Sequence, residues 1–228
     1  MEVIVLAGGL GTRLRSVVED VPKCMAPVAG KPFLAYILDY LETQFVDHVI
    51  LSLGYKHEVV IDWLRGKAFT FKVSWVIERE PLGTGGGIKM ALQKAKNPAV
   101  YILNGDTFFD VNLRAMQGLL TEDTQAVLAL KPLQNFDRYG TVTLNEQHTI
   151  TAFEEKQAKA AGLINGGIYL LKKAVLLTHN YPTAFSFEKA FLEPEAQNQT
   201  LKGLEQDGLF IDIGIPEDFE RAQTIFAK

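Results

Sequence analysis

The sequence predicts an α/β protein, a three-layer α/β/α sandwich built on a mixed, mostly parallel sheet. Three observations carry that expectation. Short β-branched apolar runs alternate with amphipathic stretches through residue 125. A glycine-rich turn follows the first run directly. Beyond residue 125 the runs continue with fewer helical stretches between them. With 228 residues, 47% of them hydrophobic, the chain can bury the core such a sandwich needs. No linker, charge block or repeat divides it, so one domain spanning 1–228 is expected, with halves at about 1–125 and about 126–228.

The elements follow in order. Residues 3–6 read as a central parallel strand, because an unbroken apolar, β-branched run suits a strand covered on both faces. Lys31-Pro32 opens a helix: proline suits its first turn, and Phe33, Leu34, Ile37, Leu38 and Leu41 then share one face. A second buried strand is expected at 49–53, a short helix at 57–64 and a third strand at 71–77. A Gly-rich loop at 82–87 leads into a helix at 88–95. A fourth strand at 99–103 runs into Asn104-Gly105-Asp106. This alternation makes the strands parallel and puts helices on both faces. Strands at 127–130, 141–144, 150–154 and 167–171 form an antiparallel or mixed section. A late buried strand at 209–213 and a helix opened by Pro216 complete the chain.

Composition excludes several classes. The net charge of −4 argues against a general nucleic-acid or acidic-membrane binder, which presents a basic face, but leaves room for a basic pocket around one small anion. Cys24 is the only cysteine, so an intrachain disulfide and a Cys-based zinc site are excluded. The histidines, at 48, 57, 148 and 179, lack metal-ligand spacing. The N-terminal apolar run follows an acid and is too short for a signal segment, and no stretch approaches a membrane span. A soluble, cytoplasmic protein with neither nucleic-acid nor membrane partners is expected. Trp63 and Phe226 are apolar residues on helices that a homo-oligomer could bury.

Two constellations stand out. The first runs from Leu6 and Ala7 through Gly8, Gly9, Gly11, Thr12 and Arg13, with Lys23 beyond. It follows the first strand, where α/β sheets place ligands. Glycines let backbone N–H groups converge on an anion, and Arg13 and Lys23 add positive charge. No Gly-Lys-Ser/Thr closes a Walker loop, and Leu14 stands where a dinucleotide fingerprint needs its third glycine. The second pairs Asp106 with Asp212, each at the end of a buried apolar strand, where a carboxylate must be capped, paired or metal-bound. Two such groups suit Mg²⁺, which takes one or two protein carboxylates and completes its shell with phosphate oxygens and water. Asp110 is assigned as an N-cap or turn residue.

The run GGLGTRL followed by VPKCMAPVAGKPFL resembles the N-terminal motif of the sugar-phosphate nucleotidyltransferases. EPLGTGG at 80–86, NGD at 104–106, FEEK at 153–156, NGGIY at 165–169 and DIGIPEDF at 212–219 follow in that family's order, across nearly the whole chain. The resemblance implies the Rossmann-like nucleotide-diphospho-sugar transferase fold, with nucleoside triphosphate in the first half and sugar 1-phosphate in the second. It implies Mg²⁺ held by Asp106 and Asp212, and catalytic roles for Arg13 and Lys23. Gly8, Gly9 and Gly11 would cradle the triphosphate, Arg13 would hold the leaving phosphates, and Lys23 would reach the α-phosphate. Leu6, Ala7, Thr12 and Asp106 would join the nucleotide site, and Glu80, Pro81, Gly83 and Thr84 would meet the base, although tight packing is an alternative for that loop. Gly140, Glu155, Lys156, Asn165 and Gly166 would hold the sugar phosphate, although Glu154 or Glu155 could simply be solvated. Cys24 departs from the family, which usually has proline there, and is expected to be small, buried and inert.

Within the family, RLRSVVEDVPK and DIGIPEDFERAQ are most similar to the short guanylyltransferases acting on D-glycero-α-D-manno-heptose 1-phosphate. That implies GTP and the heptose phosphate as substrates. Other pairs share the same core: mannose 1-phosphate with GTP, glucose 1-phosphate with UTP, CTP or dTTP, and N-acetylmuramate 1-phosphate with UTP; a non-catalytic nucleotide-sugar sensor is the remaining alternative, against which Arg13, Lys23, Asp106 and Asp212 together argue.

Overall fold

The computed structural model describes residues 1–9, 11, 14, 18, 21–154 and 156–227. The chain opens with β1 (Glu2–Ala7), a 3-10 turn (Lys23–Met25), the short strands β2 (Pro27–Val28) and β3 (Lys31–Pro32), and helix α1 (Phe33–Thr43). Then come β4 (His48–Leu53), α2 (His57–Leu64), β5 (Lys72–Ile77), α3 (Gly83–Leu92) and β6 (Ala99–Asn104). The second half begins with β7 (Thr107–Phe109) and α4 (Leu113–Gln117). It continues with β8 (Ala126–Phe136), the hairpin of β9 (Val142–Leu144) and β10 (Ile150–Phe153), β11 (Lys159–Lys172) and α5 (Ala174–Leu177). A π-helical turn (Glu188–Leu192) runs into α6 (Glu193–Gln197), followed by β12 (Leu201–Glu205), β13 (Phe210–Asp212) and α7 (Pro216–Phe226).

Among the described residues the main sheet has seven strands in the order β12-β8-β11-β6-β1-β4-β5. Every strand is parallel to the rest except β11, which runs antiparallel to β6 and β8. The expected mixed, mostly parallel sheet is the one that forms. Alternate side chains of each strand feed opposite layers: Val3, Val5, Val49 and Leu51 pack with Phe33, Leu34 and Leu38 of α1, while Ile4, Ile50 and Ile102 pack with Ile88 and Leu92 of α3. From β1 the chain moves out to β4 and β5, then returns across β1 to β6. That reversal opens a crevice at the carboxyl ends of the central strands, where open α/β sheets bind ligands.

Four expectations change. The helix expected at 88–95 begins at Gly83 and ends at Leu92, so most of the Gly-rich stretch is helical. Glycine is a poor helix former, but a Cβ on Gly85 would lie 2.1 Å from the Phe185 ring, so close packing selects it. Asp110 is not the cap of α4; Asn112 is, accepting the Ala115 N–H at 3.2 Å. Phe226 is not an exposed helix residue. It packs against Tyr36 and Phe108, with ring centroids 4.1 and 5.2 Å apart. The strands β8 and β11 extend well past their apolar cores, because the polar continuation of each is paired by the other from Lys131 to Phe136.

Candidate active site

The carboxyl ends of β1, β4, β5 and β6 surround a cleft of about 760 Å³. Leu6, Ala7, Gly8, Gly9, Lys23, Glu80, Pro81, Gly83, Thr84 and Asp106 all line it. Gly11 does not; it backs onto the side chain of Lys23. Thr12 and Arg13, and Glu155 of the sugar-phosphate set, lie outside the described residues. The Thr84 hydroxyl is turned away from the cleft toward packing partners. It donates to Glu188 at 2.8 Å and accepts from the Phe187 N–H at 2.9 Å.

Lys23 stands on the 3-10 turn and closes one side of the cleft. Its Nζ donates to Asp106 Oδ2 at 2.5 Å and lies 4.0 Å from Asp212 Oδ1. The two aspartates meet because β13 pairs antiparallel with β7, setting Asp212 opposite Thr107, while Ile213 N–H donates to the Asp106 carbonyl at 3.0 Å. Gly214 N–H donates to Asp212 Oδ1 at 2.6 Å. A Cβ on Gly214 would fall 2.7 Å from that oxygen and 3.3 Å from Lys23 Nζ, so any larger residue would push these two groups from their present places. Burial and the neighbouring Asp106 charge push the Asp212 carboxyl above its ordinary pKa, against the pull of Lys23 and the Gly214 N–H.

A divalent cation would relieve the charge of these two adjacent carboxylates. Mg²⁺ suits them, since this ion needs few protein ligands when phosphate oxygens and water complete the shell. Among the described residues no three His, Cys, Asp or Glu side chains converge as a protein-only cage. Cys24 lies buried below, its thiol 4.0 Å from the Ala7 carbonyl, and burial with the Asp106 charge pushes its pKa up to about 12. It is the small, buried side chain expected.

Of the sugar-phosphate candidates, Asn165 and Gly166 lie on β11, and Gly140 and Lys156 on loops. β11 shifts register against β8 between Asn165 and Tyr169, so the Asn-Gly-Gly motif forms a bulge. Asn165 holds that bulge, accepting Gly167 N–H at 3.0 Å and donating to the Tyr169 hydroxyl at 2.9 Å. Gly166 lies against the Phe109 ring, and Gly140 against the Glu154 carbonyl. Lys156 is exposed. Glu154 is not merely solvated: it accepts from Thr141 at 3.1 Å and pairs with Lys159, and these bonds hold its carboxyl below the ordinary range.

A model of the nucleotidyl transferase family matches residues 2–228. The D-glycero-α-D-manno-heptose 1-phosphate guanylyltransferase of Campylobacter jejuni is 47% identical over 96% of this chain and 97% of its own. The enzyme of the same name from Aneurinibacillus thermoaerophilus is also 47% identical, over 98% and 97%. The chain belongs to the nucleotidyl transferase family. Among solved members, HddC from Yersinia pseudotuberculosis complexed with GMP-PN superposes with a TM-score of 0.88 at 37% identity, covering 99% of both chains.

Seen as a nucleotidyl transferase, the molecule has cleft residues that sequence motifs did not single out. Gly54, Tyr55, Lys56 and His57 follow β4, and Ile77, Glu78 and Arg79 follow β5. Their signal was position alone, at the carboxyl ends of parallel strands beside β1. Glu78 is the most telling. It is half-buried, accepts from Ser52 Oγ at 2.9 Å, and takes the Leu82 N–H at 3.4 Å on its other oxygen.

Proposed function

We propose that this nucleotidyl transferase joins GTP to D-glycero-α-D-manno-heptose 1-phosphate, with Mg²⁺, giving GDP-heptose and pyrophosphate. The observation that carries the chemistry is the Lys23, Asp106 and Asp212 cluster at the carboxyl edge of the parallel sheet. The substrate pair rests on likeness to the two heptose 1-phosphate guanylyltransferases. Such substrates belong to the cytoplasm, and among the described residues no helix is long and apolar enough to cross a membrane.

An oxygen of the sugar 1-phosphate attacks the α-phosphorus of GTP. The bond from that phosphorus to the α–β bridging oxygen breaks, and its electron pair leaves with pyrophosphate. Both reactants are anions, so the protein must neutralise and align them. Lys23 supplies fixed positive charge at the α-phosphate, where charge builds in the transition state. Backbone N–H groups of Gly8 and Gly9, with Arg13, hold the triphosphate. Mg²⁺ on Asp106 and Asp212 neutralises phosphate oxygens when bound. Gly140, Glu155, Lys156, Asn165 and Gly166 receive the sugar phosphate. At the base end Glu78, anchored by Ser52, accepts the adjacent N1–H and N2–H donors that guanine alone among the common bases presents.

Pyrophosphate release tests this, using each common triphosphate against a panel of sugar 1-phosphates. Release confined to GTP with the heptose phosphate supports the full reading. Equal or better turnover with UTP, CTP, or a mannose or glucose phosphate keeps the chemistry and replaces the substrates. No release with any pair removes the enzyme reading.

A further inference from the structure

One ion pair ties the segment carrying Gly140 to the segment that follows Asp212. Arg138 pairs with Asp218, and the same Nη2 donates to the Tyr139 hydroxyl at 3.1 Å. Asp218 stands in the first turn of α7, only 8% exposed, and its other oxygen accepts from Arg221 at 3.0 Å. The Tyr139 ring packs edge-on to Phe210, with centroids 6.0 Å apart, and the strand of Phe210 ends in Asp212. On the other side, Thr141 bridges Ile164, the neighbour of Asn165. A cavity of about 230 Å³ separates these pieces, with Arg138, Tyr139, Asp212 and Asp218 on its walls.

With the Arg138 side chain 37% exposed, the pair gains little net stability, because water screens the attraction and ordering the long side chain costs entropy. Its geometric effect is larger: it fixes the distance between two segments that the main sheet does not connect directly. We propose that Arg138 and Asp218 are positioning residues, which hold Gly140 and Asn165 in register with Asp212 so that the sugar phosphate is presented in line to the nucleotide. This rests on the proposed placement of the sugar 1-phosphate at Gly140 and Asn165. Neither residue touches the reacting atoms, but a displacement of about 1 Å at such a site costs up to ~100-fold in rate.

Steady-state kinetics of Arg138→Met and Arg138→Lys provide the test. Arg221 still neutralises Asp218 in both, and thermal melts report whether the fold is kept. Arg138→Met is expected to raise KM for the sugar 1-phosphate about tenfold while KM for GTP stays within about twofold, and Arg138→Lys to recover most of the loss. Should Arg138→Met not fold, the Arg138→Lys enzyme decides by the same split at smaller size. Equal rises in both KM values, or a lowered Tm with both unchanged, would overturn the positioning role. Wild-type enzyme separates the two levels. If it turns over no sugar 1-phosphate, the proposed function fails and this inference with it; if it is active and the KM split is absent, only the positioning role falls.

Discussion

The two ends of the parallel strands treat buried charge in opposite ways. At the amino end, the Glu2 carboxylate accepts from Lys96 N–H at 2.6 Å and Asn97 N–H at 2.5 Å on one oxygen, and meets His48 Nδ1 at 2.9 Å on the other. His48 in turn meets Ser74 Oγ at 2.7 Å through Nε2. At the carboxyl end, Asp106 and Asp212 share the single ammonium of Lys23, and burial together with the Asp106 charge raises the Asp212 pKa against the pull of Lys23. The strands are the same, β1, β4, β5 and β6. What differs is whether the polar groups answer one another or leave two carboxylates to one ammonium. Unbalanced charge held in place is a cost to the fold and an asset to phosphoryl transfer.

The comparison breaks most visibly at Lys23. Lys23→Met removes the cation proposed to face the α-phosphate, and kcat is expected to fall about 10³-fold, the size seen when one transition-state charge stabiliser is lost. Single-turnover rates check it; a fall of less than about tenfold would remove Lys23 from the chemistry. Asp212→Asn should lose about 10²-fold or more in kcat and yet gain stability without metal. The raised pKa means that ionising Asp212 costs the folded state free energy as pH climbs through that value. Asparagine keeps the Gly214 bond without the charge, so Tm should rise by about 2–4 °C per kcal/mol relieved. The gain should be present at neutral pH and vanish below the ordinary aspartate range. A variant no more stable than wild type at pH 7 would show the carboxylates to be already balanced.

A smaller effect belongs to Glu78. Glu78→Gln leaves an acceptor for Ser52 but gives up one of the two acceptors proposed for guanine. The kcat/KM for GTP should drop about 10- to 100-fold, the worth of a charge-assisted hydrogen bond, while that for UTP changes by less than about threefold. Uniform loss across all triphosphates would make Glu78 a support for the loop and not a reader of the base.

These contrasts also explain what could be read from the sequence. The central strands were legible because they are uniformly apolar, and the Gly8–Gly9 turn, Lys23 and Asp106 because they directly follow such strands or carry a motif. Glu78 was not, since its role depends on Ser52, a residue of a neighbouring strand. The helix expected from residue 88 starts five residues earlier because Gly83 and Gly85 answer Phe185, about a hundred residues later, which local propensity cannot register. The joining of Asp106 to Asp212 was anticipated as chemistry and the strand at 209–213 as an element, but its partner β7 has only three residues, and so the pairing that achieves the joining was not legible. The Glu2–His48–Ser74 chain was invisible for the same reason as Glu78: each partner sits on a different strand.

That chain supplies the smallest expected effect and the sharpest control. Burial alone would raise the Glu2 pKa, but the Asn97 N–H, His48 and the Lys96 N–H together outweigh it, and the net shift is downward. A depressed carboxylate stabilises the fold above its unfolded pKa and loses that contribution as pH falls through the folded value. Glu2→Gln discards the charge and points an amide nitrogen at donors, which should cost about 2 kcal/mol, or roughly 4–8 °C in Tm for a chain of this size. The deficit should be full at pH 7 and narrow as pH drops below about 4.5. Because this edge faces away from the cleft, kcat and both KM values at 25 °C should stay within about twofold of wild type. Denaturant titrations at pH 7 and pH 4 read the stability difference, and the same preparation gives the kinetics. A deficit that persists unchanged at pH 4 would mean packing, not charge, holds this end; a kinetic loss comparable to that at Asp212 would erase the division between the two edges.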